Sequence, residues 1–75
     1  MTTMHRARYR FTLDGPLARS MDELIRSRYD DVRTQDGDRT TLIIGDLDQS
    51  AVRAVLNLLW DTGHDVLAMS STGAG

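Results

Sequence analysis

Between Thr40 and Thr62 the chain reads TTLIIGDLDQSAVRAVLNLLWDT, a short β-branched run followed by a segment with helical periodicity. Thr40 to Ile44 is too short for a helix and is flanked by turn residues, so it predicts a buried strand that Gly45 ends. Asp46 and Gln49 have capping-box spacing, in which the carboxylate accepts an orphan amide of the first turn and the glutamine reaches back. Asp48 is a competing cap. At about 100° per residue, Val52, Val55, Leu56 and Leu59 share one stripe, flanked by Ala51 and Leu58 on one side and Trp60 on the other. Arg53, Asn57 and Asp61 lie opposite. The pattern is that of a helix laid over one face of a sheet, with Gly63 where a left-handed residue closes it.

Upstream, His5 to Leu13 alternates strictly, with His5, Ala7, Tyr9, Phe11 and Leu13 on one face and Arg6, Arg8, Arg10 and Thr12 on the other. Asp14, Gly15 and Pro16 break this strand, and a helix is expected from Pro16 to about Arg28 with Leu17, Met21, Leu24 and Ile25 on its apolar side. Val32 to Gln35 is half polar and reads as an edge strand. Asp36, Gly37 and Asp38 make a hairpin turn, because Asp-Gly tolerates the positive φ angles of tight hairpins. His64 to Ser70 reads as a last strand, apolar on both faces, and Ser71 to Gly75 as a disordered tail. The predicted order is β-α-β-β-α-β. Two right-handed crossovers joined by a hairpin give a ferredoxin-like α+β sandwich, a four-stranded antiparallel sheet with both helices on one face and a single domain over residues 1–70. Leu42 and Ile44 are expected to pack with Phe11, Leu13, Val52, Leu56 and Leu59.

A chain of 75 residues buries only about 60% of the surface its unfolded form exposes, so its core is thin and a partner chain would add to it. The absence of cysteine excludes disulfides, thiolate metal sites, iron–sulfur clusters and cysteine nucleophiles together. No apolar run approaches the roughly 20 residues that span a bilayer, and the N-terminus lacks a signal peptide's apolar core, so a soluble cytoplasmic protein is expected. The formal net charge is −2, which gives no bulk attraction to nucleic acid or to an anionic membrane, and neither is an expected partner. All nine basic residues are arginine and ten of the eleven acids are aspartate. A GC-rich coding bias accounts for that most simply, although arginine also suits bidentate pairing.

FTLDGPL near the start, TTLIIGDLDQSAVRAVL and the following Trp-Asp-Thr-Gly together resemble a group of small uncharacterised proteins of GC-rich bacteria, from Phe11 to about Met69. That group implies no function. The element order also resembles ACT-type regulatory domains, which bind amino acids where the first strand meets the first helix through a loop reading Asp-x-Pro-Gly-x-Leu. Asp14, Gly15, Pro16 and Leu17 stand at that position with the Gly-Pro order reversed. The resemblance implies a small-molecule site there.

Catalytic patterns are missing from the sequence. The serines have no Gly-x-Ser-x-Gly setting, no Gly-rich loop cradles a phosphate, and His5 and His64 stand alone. Asp46 with Asp48, and Asp36 with Asp38, are explained as caps and turns without calcium, whose loop needs a terminal glutamate. No enzyme activity, cofactor or metal is expected. The most informative feature is the stripe Arg6, Arg8 and Arg10, which points onto the sheet face the helices leave bare, beside Thr41, Ile43, Arg33, Gln35 and, depending on the register of the last strand, either Leu67 with Met69 or Val66 with Ala68. RNA-recognition domains use this face with stacking aromatics, and none is available here. The expected function is a non-enzymatic protein-interaction module that self-associates through Arg6, Arg8, Arg10, Thr41 and Ile43. Its arginines would be offset by the partner's Asp36, Asp38 or Asp65. The partner is a second copy or another protein, and an ACT-like small-molecule domain is the alternative.

Overall fold

The computed structural model describes residues 7–72. Along the chain run β1 (Ala7–Asp14), α1 (Arg19–Arg28), β2 (Val32–Gln35), β3 (Arg39–Leu47), α2 (Gln49–Asp61) and β4 (Asp65–Thr72). The strands form one antiparallel sheet in the order β2-β3-β1-β4. This is the ferredoxin-like sandwich. β2 lies at one edge, as its half-polar pattern predicts, and β4 at the other. Phe11, Leu13, Leu42 and Ile44 face the helices and join Met21 and Ile25 of α1 and Val52, Val55 and Leu59 of α2 in one core. Thr40 is fully buried, and its hydroxyl donates to the Gly15 carbonyl at 2.8 Å, so no buried polar group is orphaned there.

Three boundaries differ from the sequence reading. β3 does not end at Gly45 but continues to Leu47 through a bulge. Ala7 pairs with Leu47 and Tyr9 with Ile44, so two steps along β1 match three along β3. Asp46 carries the bulge with φ of 59°, a left-handed value that aspartate tolerates better than most residues. The extra residue turns Leu47 inward to 1% exposure, adding a core residue that strict alternation would have placed outside. The cap is therefore Asp48, whose Oδ1 accepts from the Ala51 amide at 2.8 Å, and not Asp46.

At the other helix, α1 begins at Arg19 rather than Pro16. Ala18 is its N-cap without a side-chain cap, and the Ala18 amide instead donates to Nε2 of His64 at 3.3 Å. With Nε2 accepting, the proton of a neutral ring sits on Nδ1, which lies 2.9 Å from the Thr62 hydroxyl. That hydroxyl donates to the Leu58 carbonyl, so one histidine ties the end of α2 to the start of α1. Finally, β4 includes Ser71 and Thr72, two residues expected in the tail; residues 73–75 lie outside the described residues.

Gly63 closes α2 as expected, at φ of 83°. Its amide donates to the Trp60 carbonyl and that of His64 to Leu59, the paired bonds of a Schellman motif. The apolar stripe of α2 centres on Val55 and Leu59, both fully buried, whereas Leu56 is only partly buried at its flank. Truncating Leu59 to alanine should therefore cost about 2–5 kcal/mol in denaturant unfolding, and Leu56→Ala clearly less, since its environment can relax into solvent. In the same assay Asp48→Ala should cost about 0.5–2 kcal/mol through the lost cap.

Candidate functional site

The side of the sheet away from the helices is set by pairing, because residues directly opposite in an antiparallel ladder share a face. Its central row runs Arg33, Ile43, Arg10, Ser70 across the four strands. The neighbouring row runs Gln35, Thr41, Thr12, Ala68. Thr41, Ile43, Arg8 and Arg10 thus fall on the face assigned to them, with Ile43 part-buried between the arginines of its row. Arg6 lies outside the described residues. No aromatic residue shares this face among the described residues, since Tyr9, Phe11 and Tyr29 pack against the core and Trp60 is on α2.

Charge on this face is organised by Asp31. Its Oδ2 receives Nη2 of Arg8 at 3.2 Å, and its Oδ1 lies 3.8 Å from Nε of Arg33. Sequence reasoning assigned that role to Asp36, Asp38 or Asp65 of a partner copy, and the fold supplies Asp31 from the same chain. The signal was absent from the sequence because Asp31 meets Arg8 only through the β2-β3-β1 order. Gly45 makes room for it. The Gly45 amide donates to the Asp31 carbonyl at 2.9 Å, and a Cβ at Gly45 would collide with the Asp31 carboxylate. Arg10 forms no ion pair with a described residue and remains the uncompensated cation near the middle of the face.

β4 also departs from the expected alternation. Thr12 pairs with Ala68 but Leu13 with Val66, leaving Leu67 as an extra residue. Val66 therefore packs toward the core, Ala68 and Ser70 lie on the open face, and Leu67 is 48% exposed. Neither of the two regular registers anticipated for this strand is adopted, because the bulge changes the phase midway.

The loop Asp14 to Leu17 is a poorer candidate. Asp14 ends β1 opposite Arg39 and Asp65, Gly15 has φ of 92°, Pro16 is exposed and Leu17 packs against the core. Two backbone groups available to a ligand, the Gly15 carbonyl and the Ala18 amide, are already held by Thr40 and His64. The adjacent depression, lined by Leu17, Arg19, Asp22, Thr34 and Asp36, has a volume of about 200 Å³, below the roughly 300–1,000 Å³ of usual small-molecule sites. A wider hollow of about 490 Å³ lies along α2 beside Leu56 and the exposed Trp60. Among the described residues, no three of histidine, aspartate and glutamate are grouped to hold a metal, and no helix is long and apolar enough to cross a membrane.

Compared with known proteins, the chain matches no family model, no curated protein and no solved structure.

The Asp31 arrangement makes a distinguishable pair of expectations. Asp31→Ala should lower stability by no more than about 1 kcal/mol, less at high salt, because both ion pairs are exposed. Gly45→Ala should cost about 1–3 kcal/mol by overpacking, and the double substitution should recover part of that loss. Additive losses in the double-mutant cycle would show that Asp31 and Gly45 are not in contact.

Proposed function

We propose that this chain is a non-catalytic protein-interaction module that associates with a second copy of itself through the open sheet face. The observation that carries this reading is the placement of Ile43 between Arg10 and Arg33, next to a carboxylate that already compensates Arg8 and Arg33. With Asp31 in place, a two-fold partner meets one uncompensated arginine among the described residues of the stripe, Arg10. An offset of one row sets Arg10 of each copy toward Asp31 of the other, which gives opposite charges across the contact and Ile43 within it. Ala68 extends the apolar part toward β4. A solvent-exposed mixed patch of this kind is what an isologous contact covers.

Sedimentation at micromolar concentration should report at least twice the monomer mass, with Ile43→Asp lowering that mass by removing the open-face contact. Arg10→Ala should weaken association more than Arg8→Ala, since Arg8 has its carboxylate within the same chain, and both effects should shrink with salt. A monomer up to about 1 mM, where association would be worth only about 4 kcal/mol, would refute the reading.

The alternative, an ACT-like regulatory domain with a ligand at Asp14, Gly15, Pro16 and Leu17, rests on the place of that loop between β1 and α1 and on the left-handed Gly15, while its reversed Gly-Pro order counts against it. It makes a separate demand. Thermal melting against a panel of amino acids and nucleotides should show a ligand that adds about 2.7 kcal/mol at 100 times its dissociation constant. A flat panel would remove this alternative and leave the interaction module standing.

A further inference from the structure

The two edges of the sheet are protected in different ways. β2 is four residues long, and Arg26, anchored by Asp22 at 3.0 Å, reaches from α1 to the Val32 carbonyl at 3.1 Å and to the Thr34 hydroxyl at 3.3 Å. A charged side chain on a short edge is a familiar block to strand addition. β4 has no such block among the described residues. It is eight residues long, carries neither charge nor proline from Val66 to Thr72, and exposes Leu67 and Met69 to 48% and 44%.

The outward backbone groups of β4 follow from the alternation of antiparallel bonding. Gly45 bonds to Asp31, and the Val32 carbonyl is taken by Arg26, so Arg33 and Gln35 are the β2 residues that bond to Ile43 and Thr41. Leu42 and Ile44 then bond to Phe11 and Tyr9. Arg10 and Thr12 are left to bond to Ser70 and Ala68, and the N–H and C=O groups of Met69 and Ser71 point away from the sheet.

We infer that β4 is a pairing edge whose occupant is β4 of a second copy, antiparallel about a two-fold axis at Ser70. In that register Met69 of each copy exchanges both backbone bonds with Ser71 of the other. Ser70 meets Ser70 in the non-hydrogen-bonded position, and the Leu67 bulge falls outside the paired centre. The two Met69 side chains become diagonal neighbours on the helix side, which takes apolar surface from water. A second copy fits better than an unrelated strand because the register is self-complementary and sets no like charges opposite each other. A head-to-tail chain of copies would need β2 as the receiving edge, and Arg26 occupies it, so association through the sheet edges closes at two. This contact uses neither Ile43 nor Arg10 and is independent of the open face.

The chain has no cysteine, so an introduced thiol has no competitor. Under mild oxidation Ser70→Cys should form a covalent dimer about tenfold or more faster than Gln35→Cys on the opposite edge, because paired Cα atoms near 4.5 Å suit a disulfide. Adding Ile43→Asp should leave that rate within about twofold, whereas adding Met69→Pro, which deletes an outward N–H unused within the sheet, should lower it by about tenfold. Circular dichroism establishes that the proline variant is folded. Should it not be, Ser71→Lys, which sets two ammonium groups diagonally across the pair, takes its place. A Ser70→Cys rate no higher than that of Gln35→Cys, or one unaffected by Met69→Pro and Ser71→Lys, would overturn the proposal. A rate lost on adding Ile43→Asp would assign the crosslink to the open face and overturn it as well, while leaving the self-association reading intact.

Discussion

The β1-β3 pairing is the constraint on which the rest of the molecule depends. It aligns Phe11 with Leu42 and Leu13 with Thr40 on one face and Arg10 with Ile43 on the other. Because side chains alternate with a period of two, a slip of one residue would move the apolar set into water and the arginines into the core. Both helices are then placed by the only apolar surface available to them. With a core this small, burial of Val55, Leu59, Met21 and Ile25 against that surface is a large share of what opposes chain entropy.

Two bulges modify this regular frame where it meets the solvent. At Gly45 and Asp46 an additional residue restores Leu47 to the core and lets Asp31 lie across the backbone, where it draws Arg8 and Arg33 together. At Leu67 a second one changes the phase of β4, so that Val66 is inside while Ala68 and Ser70 are outside. The same local irregularity thus serves packing on one side and the composition of the exposed face on the other. The contrast between the edges has a similar economy: Arg26 is both an intrahelical partner of Asp22 and the cover of β2.

Much of the fold was legible in the chain. The alternation from Ala7 to Leu13, the stripe of α2 and Gly63 at its end each report a local preference that the structure keeps, and β2 and β3 form the expected hairpin, though without the positive φ anticipated at Gly37. The open-face position of Arg8, Arg10, Thr41 and Ile43 was legible as well, since it follows from the same period and from the helices sharing one side. The site's electrostatics were less so. Asp31 reads locally as a turn residue, and its pairing with Arg8, 23 positions away, exists only once β3 lies between β2 and β1.

Sequence by itself determined element type and order, and with them the topology, because periodicity, turn chemistry and capping are properties of neighbouring residues. Tertiary structure decided the bulges, the choice of Asp48 over Asp46 as cap, the late start of α1 and the partner of Arg8. A bulge is an extra residue counted against a neighbouring strand, and neither strand alone contains that count. Likewise Ala18 begins α1 without a capping side chain of its own because His64, brought over by the end of α2, accepts its amide. Local sequence sets what each segment prefers; which preference prevails is set by the groups that the fold brings within hydrogen-bond reach.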